Sequence, residues 1–279
     1  MYSSRASRVY GVACAIAIVI LAAAAPASAQ FKPRPLDDPA TGENYHIEGA
    51  ASLWFPGSLI LLSSESLGIA GDLIDFKHDL GLTDQKFPAL ELQLRPARRH
   101  KFRLEFIPIS FNQTGTLPRN ITFNGQLYHA GLSVDSTLDW KAFRFGYEYD
   151  FIVRNQGFVG VITELKYTDA TATLATTTPL INEFDHAKAP IPAIGGIGRY
   201  YVVPNISITG ELTGFKLPDN IVKNGSGHYV DLDIYGTVNF TDHIGVKAGY
   251  RSMDLGYVFK TDSGSFTLKG MYFGAVLRY

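Results

Sequence analysis

Met271-Tyr272-Phe273-Gly274-Ala275-Val276-Leu277-Arg278-Tyr279 closes the chain with a two-residue period. On an extended strand Met271, Phe273, Ala275, Leu277 and Tyr279 share one face, and Tyr272, Gly274, Val276 and Arg278 the other. The first set is larger and more lipophilic. A second stretch repeats the pattern with stronger contrast: Phe143, Phe145, Tyr147, Tyr149 and Phe151 alternate with Arg144, Gly146, Glu148 and Asp150. A row of aromatics on a water-facing sheet is an aggregation hazard. Against hydrocarbon it is what the solvent selects.

The start of the chain is consistent with that solvent. Arg5 and Arg8 precede an apolar run, Val9 to Ala25, and Pro26-Ala27-Ser28-Ala29 offers small residues for cleavage. This is the layout of a secretory signal peptide over 1–29, cut after Ala29. The alternative, an N-terminal membrane anchor, has an apolar core at the lower limit for a span. The expected mature chain, from Gln30, loses Cys14, the single cysteine, so there is no disulfide framework to reason from. It keeps all 26 acids and all but two of the 25 basic residues. No mature segment approaches the apolar length of a spanning helix. In hydrocarbon only a closed barrel then satisfies every backbone N–H and C=O.

Residues 30–42, with Pro33, Pro35 and Pro39, read as a lead-in to a barrel over 43–279. Ten segments alternate within it: 43–55, 87–95, around 102–106, 143–151, 158–168, 189–203, 206–217, 228–240, 243–255 and 265–279. Leu132, Val134, Leu138 and Trp140 fall on the opposite parity from Phe143. A bulge or a change of environment is expected near Lys141. Short connections fall near 96–99, 153–157, 203–205 and 241–242. Longer ones fall near 56–86, 112–130, 169–188, 218–227 and 256–264. The fold class expected is all-β, a closed antiparallel transmembrane barrel of ten strands. Twelve follow if 56–86 hides a hairpin, and eight if the weak sixth and seventh segments are misread. A soluble all-β sandwich is the competing architecture.

Export signal, alternating strands, loop asymmetry and the terminal Tyr279 together resemble the small outer-membrane β-barrel proteins of Gram-negative bacteria, of the opacity-protein and OmpW-like kind. Asp79-Leu80-Gly81-Leu82 before Arg99-His100-Lys101-Phe102-Arg103-Leu104-Glu105 is similar to the same group. The resemblance implies residence in the outer membrane, short periplasmic turns and longer outer loops. It also implies a monomer in contact with lipid and lipopolysaccharide, and a last strand read by the barrel-assembly machinery. No nucleic-acid partner is expected. Trp54 and Trp140 would belong to an outer aromatic girdle, and Phe151, Phe240 and Tyr279 to an inner one.

The lipid-facing set is expected to be Phe143, Phe145, Tyr147, Tyr149, Phe151, Phe273, Leu277 and Tyr279. The lumen would be lined by Glu91, Arg95, Arg103, Glu105, Arg144, Glu148, Asp150, Glu164, Lys166, Glu211, Asp231, Asp233, Lys247 and Arg251. Opposite charges at this density favour mutual pairing, because a buried unpaired charge is very costly. A filled structural or surface-interaction barrel, with at most limited small-solute permeation, is the first functional expectation. A dedicated pore for small hydrophobic or ionic solutes and a lipid-modifying enzyme are the alternatives.

Outer-membrane lipases place His and Ser two residues apart, and no histidine here has that partner. Outer-membrane aspartyl-type proteases combine an acidic pair with an Asp–His pair at two-residue spacing. Asp231 and Asp233 resemble the first element, but are better placed as partners for Lys247 or Arg251. No catalytic residue, cofactor or resident metal is assigned. Glu65, Asp72, Asp75, Asp79 and Asp84 in 56–86 raise the possibility of a divalent cation, against the plainer reading of a solvated acidic loop. Arg95, Arg98, Arg99, His100 and Lys101 are expected to meet inner-leaflet headgroups.

Overall fold

The computed structural model of the chain describes residues 40–64, 69, 71–176, 181–217, 225–259 and 262–279. The expected signal peptide, the lead-in up to Pro39, and Glu65 lie outside them. The described strands are β1 (Ile47–Ser63), β2 (Ile74–Asp75), β3 (Phe87–Ala97), β4 (His100–Thr116), β5 (Ile121–Phe123), β6 (Gln126–Tyr128), β7 (Ser133–Arg154), β8 (Gly157–Thr176), β9 (Ile181–Val203), β10 (Ile206–Leu217), β11 (Gly225–Asn239), β12 (Ile244–Phe259) and β13 (Asp262–Arg278). Setting aside β2, β5 and β6, ten long strands pair antiparallel in chain order. β13 closes the ring on β1, from Glu48↔Arg278 to Ser63↔Ser263. Closure gives each of the ten strands a partner on both sides over the turn-end part of the ring, where no sheet edge is left. The ten segments legible from alternation are these ten strands.

Their ends differ from expectation, for a physical reason. β1 runs on to Ser63, β8 to Thr176 and β12 to Phe259, so much of 56–86, 169–188 and 256–264 is strand and not loop. In Gly57-Ser58-Leu59-Ile60-Leu61-Leu62, Leu59 is exposed outward while Ile60 and Leu62 are buried inward. Apolar residues on both faces erase the two-residue signal. Of the remaining long connections, the described residues 71–86 and 117–132 sit at one end of the barrel. Short turns at 98–99, 155–156, 204–205 and 240–243 sit at the other.

No bulge lies near Lys141. β7 pairs with β4 without a register shift from Ser133 to Tyr149, and its one shift against β8 falls between Asp150 and Ile152. Phe151 and Ile152 are therefore both exposed on the outside. What changes near Lys141 is the interior. Val134, Leu138 and Trp140 point inward on the same face as Arg144, Glu148 and Asp150, so the lumen turns from apolar at the loop end to charged at the turn end. Trp54 and Trp140 are 2% and 3% exposed, and they line this interior instead of an outer girdle.

One glycine of β9, Gly195, has a steric cause. A Cβ on Gly195 would lie 1.9 Å from the Leu212 carbonyl oxygen of β10, so no larger residue fits while the strands remain paired.

Deleting Phe273–Tyr279 removes the β13 partners of β1 residues up to Leu53. The truncated chain is expected to lose the heat-dependent gel shift of a closed barrel. A normal shift would contradict closure by β13.

Candidate functional site

The lumen is the site that the fold constructs, and it has two halves. In the turn-end half the inward positions of β4, β7, β8, β10, β11 and β12 bring charges together. Lys101 Nζ lies 2.5 Å from Glu148 and 2.8 Å from Asp150. Arg103 reaches Glu211 at 2.7 Å and Glu148 at 3.5 Å. Arg144 holds Glu164 and Glu211 directly and Glu105 at 3.3 Å. Lys166 bridges Glu164 at 3.1 Å and Asp231 at 2.9 Å. Arg251 closes the set on Glu105 and, at 2.8 Å, on Asp231.

Several of these pairs join strands that are not neighbours. β4 carries Arg103 and Glu105; β10 carries Glu211 and β12 carries Arg251. Each pair is four strands apart in the ring of ten, so Arg103–Glu211 and Glu105–Arg251 cross the lumen. Lys247 on β12 crosses to Glu91 on β3 at 2.5 Å. Asp233 accepts from the Tyr272 hydroxyl at 3.0 Å, while Asp231 takes Arg251 as expected. Cations also lie over rings: Lys101 is 3.4 Å from the Phe158 centroid and Lys166 is 4.1 Å from that of Tyr229.

Of the fourteen positions read as lumen-lining, ten are buried, and Glu91, Arg103, Arg144 and Asp233 are partly so. Phe143, Phe145, Phe151, Phe273, Leu277 and Tyr279 are exposed on the outer surface, with Tyr279 at 85%. Tyr147 and Tyr149 lie on the same face, half covered by His100; its Nδ1 is 2.6 Å from the Tyr147 hydroxyl. The basic turn cluster divides. Arg98 and Arg99 are exposed, whereas Arg95 and Lys101 are buried with carboxylate partners inside the barrel. Lys101 was expected at the headgroups and lies inside instead; its shared parity with Arg103 and Glu105 is the signal that would have separated it from the cluster.

Two participants had little or no sequence signal. Glu43 precedes β1 yet inserts into the turn end, where Arg199 lies at 2.9 Å and the Tyr201 hydroxyl at 2.8 Å. Burial pushes its carboxyl up, but Arg199, Lys101 and Arg95 outweigh this and hold it down at about 2. Arg199 itself lay on the inward parity of the least regular segment.

The loop-end half is apolar. A cavity of about 720 Å³ is lined by Leu138, Trp140, Ile191, Phe215, Leu255 and Phe266, among others. At the loop end, 71–86 and the β5–β6 hairpin bury Ile74, Phe76, Leu80, Ile121, Phe123 and Tyr128 in one apolar cluster with the lumen residues Phe111, Leu138 and Trp140. Asn124-Gly125, both at positive φ, makes the tight turn of that hairpin. Each described acid of the loop has a local donor. Asp72 accepts Thr122 N at 2.7 Å and Asp75 accepts Lys77 N at 2.9 Å. Asp84 pairs with Lys77, and Asp79 with Arg119 at 2.7 Å. Hydrogen bonds from Arg119 hold the Asp79 carboxyl below the usual range. Among the described residues these acids do not converge on a cation site.

The protease-like arrangement is not assembled either. Asp231 faces inward among cations, while His228 on the same strand is exposed on the outer face, 2.8 Å from Asp254. The side chains of Asp185 and His186 lie outside the described set. His243 and Asp242 contact the Arg278 carbonyl and Gly42 N respectively.

No family model matches the chain, and no curated protein matches it in sequence. Solved structures do. The outer membrane protease OmpT from Escherichia coli aligns over 88% of this chain and 100% of its own, with a TM-score of 0.53 and 9% identity. Ail, the attachment invasion locus protein of Yersinia pestis, covers 82% of this chain and 99% of its own at TM-score 0.36 and 7% identity. The toluene transporter TodX of Pseudomonas putida covers 88% and 93% at TM-score 0.35 and 9% identity. The first of these shows the fold: this chain is built as an outer-membrane β-barrel.

Arg144→Leu leaves Glu105, Glu164 and Glu211 short of a cation. It is expected to cost about 3–5 kcal/mol in a urea refolding titration, as for other broken buried pairs. A change within the error of the titration would argue against a tightly coupled network. Glu43, depressed from 4.5 to about 2, contributes stability that is full above pH 4.5 and lost as the pH falls through about 2. Urea midpoints measured across that window are expected to fall for the natural chain and to change less for Glu43→Gln.

Proposed function

We propose that this protein is an outer-membrane β-barrel whose lumen is shut by salt bridges and whose role is structural or surface-binding, not conductive. One observation carries the reading: Arg103–Glu211 and Glu105–Arg251 cross the lumen, where a permeating ion would have to separate them. Pulling such pairs apart without replacement is unfavourable by several kcal/mol. The oily exterior, from Leu59 and Phe143 down to Leu277 and Tyr279, suits acyl chains. On this reading 1–29 directs export, 43–279 inserts, and the turns face the periplasm. The last strand is the assembly signal, and lipid and lipopolysaccharide are the immediate partners of a monomer. The cap of 71–86 and β5–β6 is the surface offered to the outside.

Planar-bilayer recording tests the closed lumen. The natural chain is expected to be silent under applied voltage. Stable open channels of uniform conductance would overturn the reading in favour of a pore.

A further inference from the structure

The apolar cavity does not stay inside the barrel. Its lining includes Leu138, Trp140 and Ile191, which face the lumen, and also Pro190 and Pro192, which are exposed on the outer face of β9. The cavity thus borders β9 residues of both faces at this height. The pairing explains why. β8 pairs with β9 past both prolines, to Thr176↔Ile181, but the described β9–β10 ladder ends at Ile194↔Gly214. Proline has no N–H to donate, so at residues 190 and 192 β9 cannot complete a ladder on its β10 side. Phe215 and Leu217, which line the cavity, lie beyond the last rung.

The height of this breach follows from the outer face. Phe143↔Tyr167↔Pro190 and Phe145↔Leu165↔Pro192 are apolar cross-strand rows; the next row up is Lys141↔Asp169↔Lys188. On the other flank, Leu212↔Leu232 and Gly214↔Val230 give way to Lys216↔His228. The opening therefore sits where hydrocarbon-compatible surface meets charge, with exposed Lys188 and Lys216 on its two lips.

A second observation points to a ligand. Trp140 is 3% exposed, and its Nε1–H has no acceptor among the described residues. A buried indole N–H normally finds a partner. An apolar cavity lined by one unanswered donor suits a chain that carries an oxygen. A volume of about 720 Å³ falls within the range of about 300–1,000 Å³ common for small-ligand sites.

We infer that this cavity takes one acyl chain of an outer-leaflet lipid, entering sideways between β9 and β10. The hydrocarbon lies against Leu138, Ile191, Phe215 and Phe266, an ester oxygen accepts from Trp140 Nε1, and the anionic headgroup stays at Lys188 and Lys216. The site rests on the membrane-embedded reading but not on the closed lumen.

Trp54 and Trp140 are the two tryptophans, so Trp54→Phe isolates the reporter. The test refolds that variant into phosphatidylglycerol vesicles with bromine-labelled acyl chains, alongside unlabelled vesicles. Trp140 emission is expected to lose most of its intensity in the labelled vesicles. Two further changes are expected to restore it. Ala170→Phe fills the cavity beside Trp140, its partner in register. Pro192→Cys with Lys216→Cys, opposite one another if the register continues beyond Ile194↔Gly214, staples the gap when oxidised. Unquenched Trp140 in protein that floats with the vesicles would falsify the acyl-chain site. Quenching that neither change relieves would mean that bromine is sensed through the wall, and quenching relieved by Ala170→Phe but not by the staple would reject lateral entry. Protein that fails to float removes the embedded reading itself, a separate outcome.

Discussion

A strand in hydrocarbon has no water to accept its N–H groups or to donate to its C=O groups, and everything in this protein follows from meeting that demand by closing a ring. Each unsatisfied group costs several kcal/mol. The register between β1 and β13 is thus the contact without which the other ladders have no stable context. Once the ring exists, side chains must alternate. Half go outward, where only lipophilicity is asked of them, and half are confined to a lumen narrow enough that Trp140 on β7 meets Phe266 on β13 across it.

Confinement produces two different interiors. At the turn end charges have been taken from water, and they are tolerable because nearly all have a partner of opposite sign, Asp233 taking the Tyr272 hydroxyl instead. Arg144 and Arg251 serve as hubs with more than one carboxylate each. Such networks are weak evidence for stability as such. Their evident consequence here is obstruction, since they tie together strands from opposite sides. At the loop end the interior is apolar, and the described β9–β10 seam stops short beside two prolines. A barrel sealed at the turn end with an apolar cavity at the loop end has the geometry of a receptacle more than that of a conduit.

Strand existence was legible wherever the two faces differed chemically. Phe143 to Phe151 against Arg144 to Asp150 left no doubt about the period, and the inward charges of β4, β7 and β11 could be named from parity alone. Legibility failed where the faces departed from oily-out and polar-in. Leu59 to Leu62 read as loop because both faces there are apolar, and Leu132 to Trp140 read as a parity break because Val134, Leu138 and Trp140 face the lumen while Ser133, Asp135 and Asp139 face out. Of the two aromatic girdles the inner residues Phe151, Phe240 and Tyr279 are exposed outward, whereas Trp54 and Trp140 occupy inward parity on their strands. Glu43 was illegible because its role depends on a chain reversal into the turn end, which no periodicity records. The Asn124-Gly125 turn had a readable signal that pointed to the β5–β6 hairpin.

The outward face also explains why shape outlasts spelling. Any of several large lipophilic residues serves at Phe145, Leu165 or Leu277, so ancestry leaves little trace at half of the strand positions. Inward, an arginine and a glutamate can exchange sides as long as they change together. Under these two rules almost every letter can differ while the circular ladder of rungs stays the same, so a solved barrel can share this fold over its full length at 9% identity.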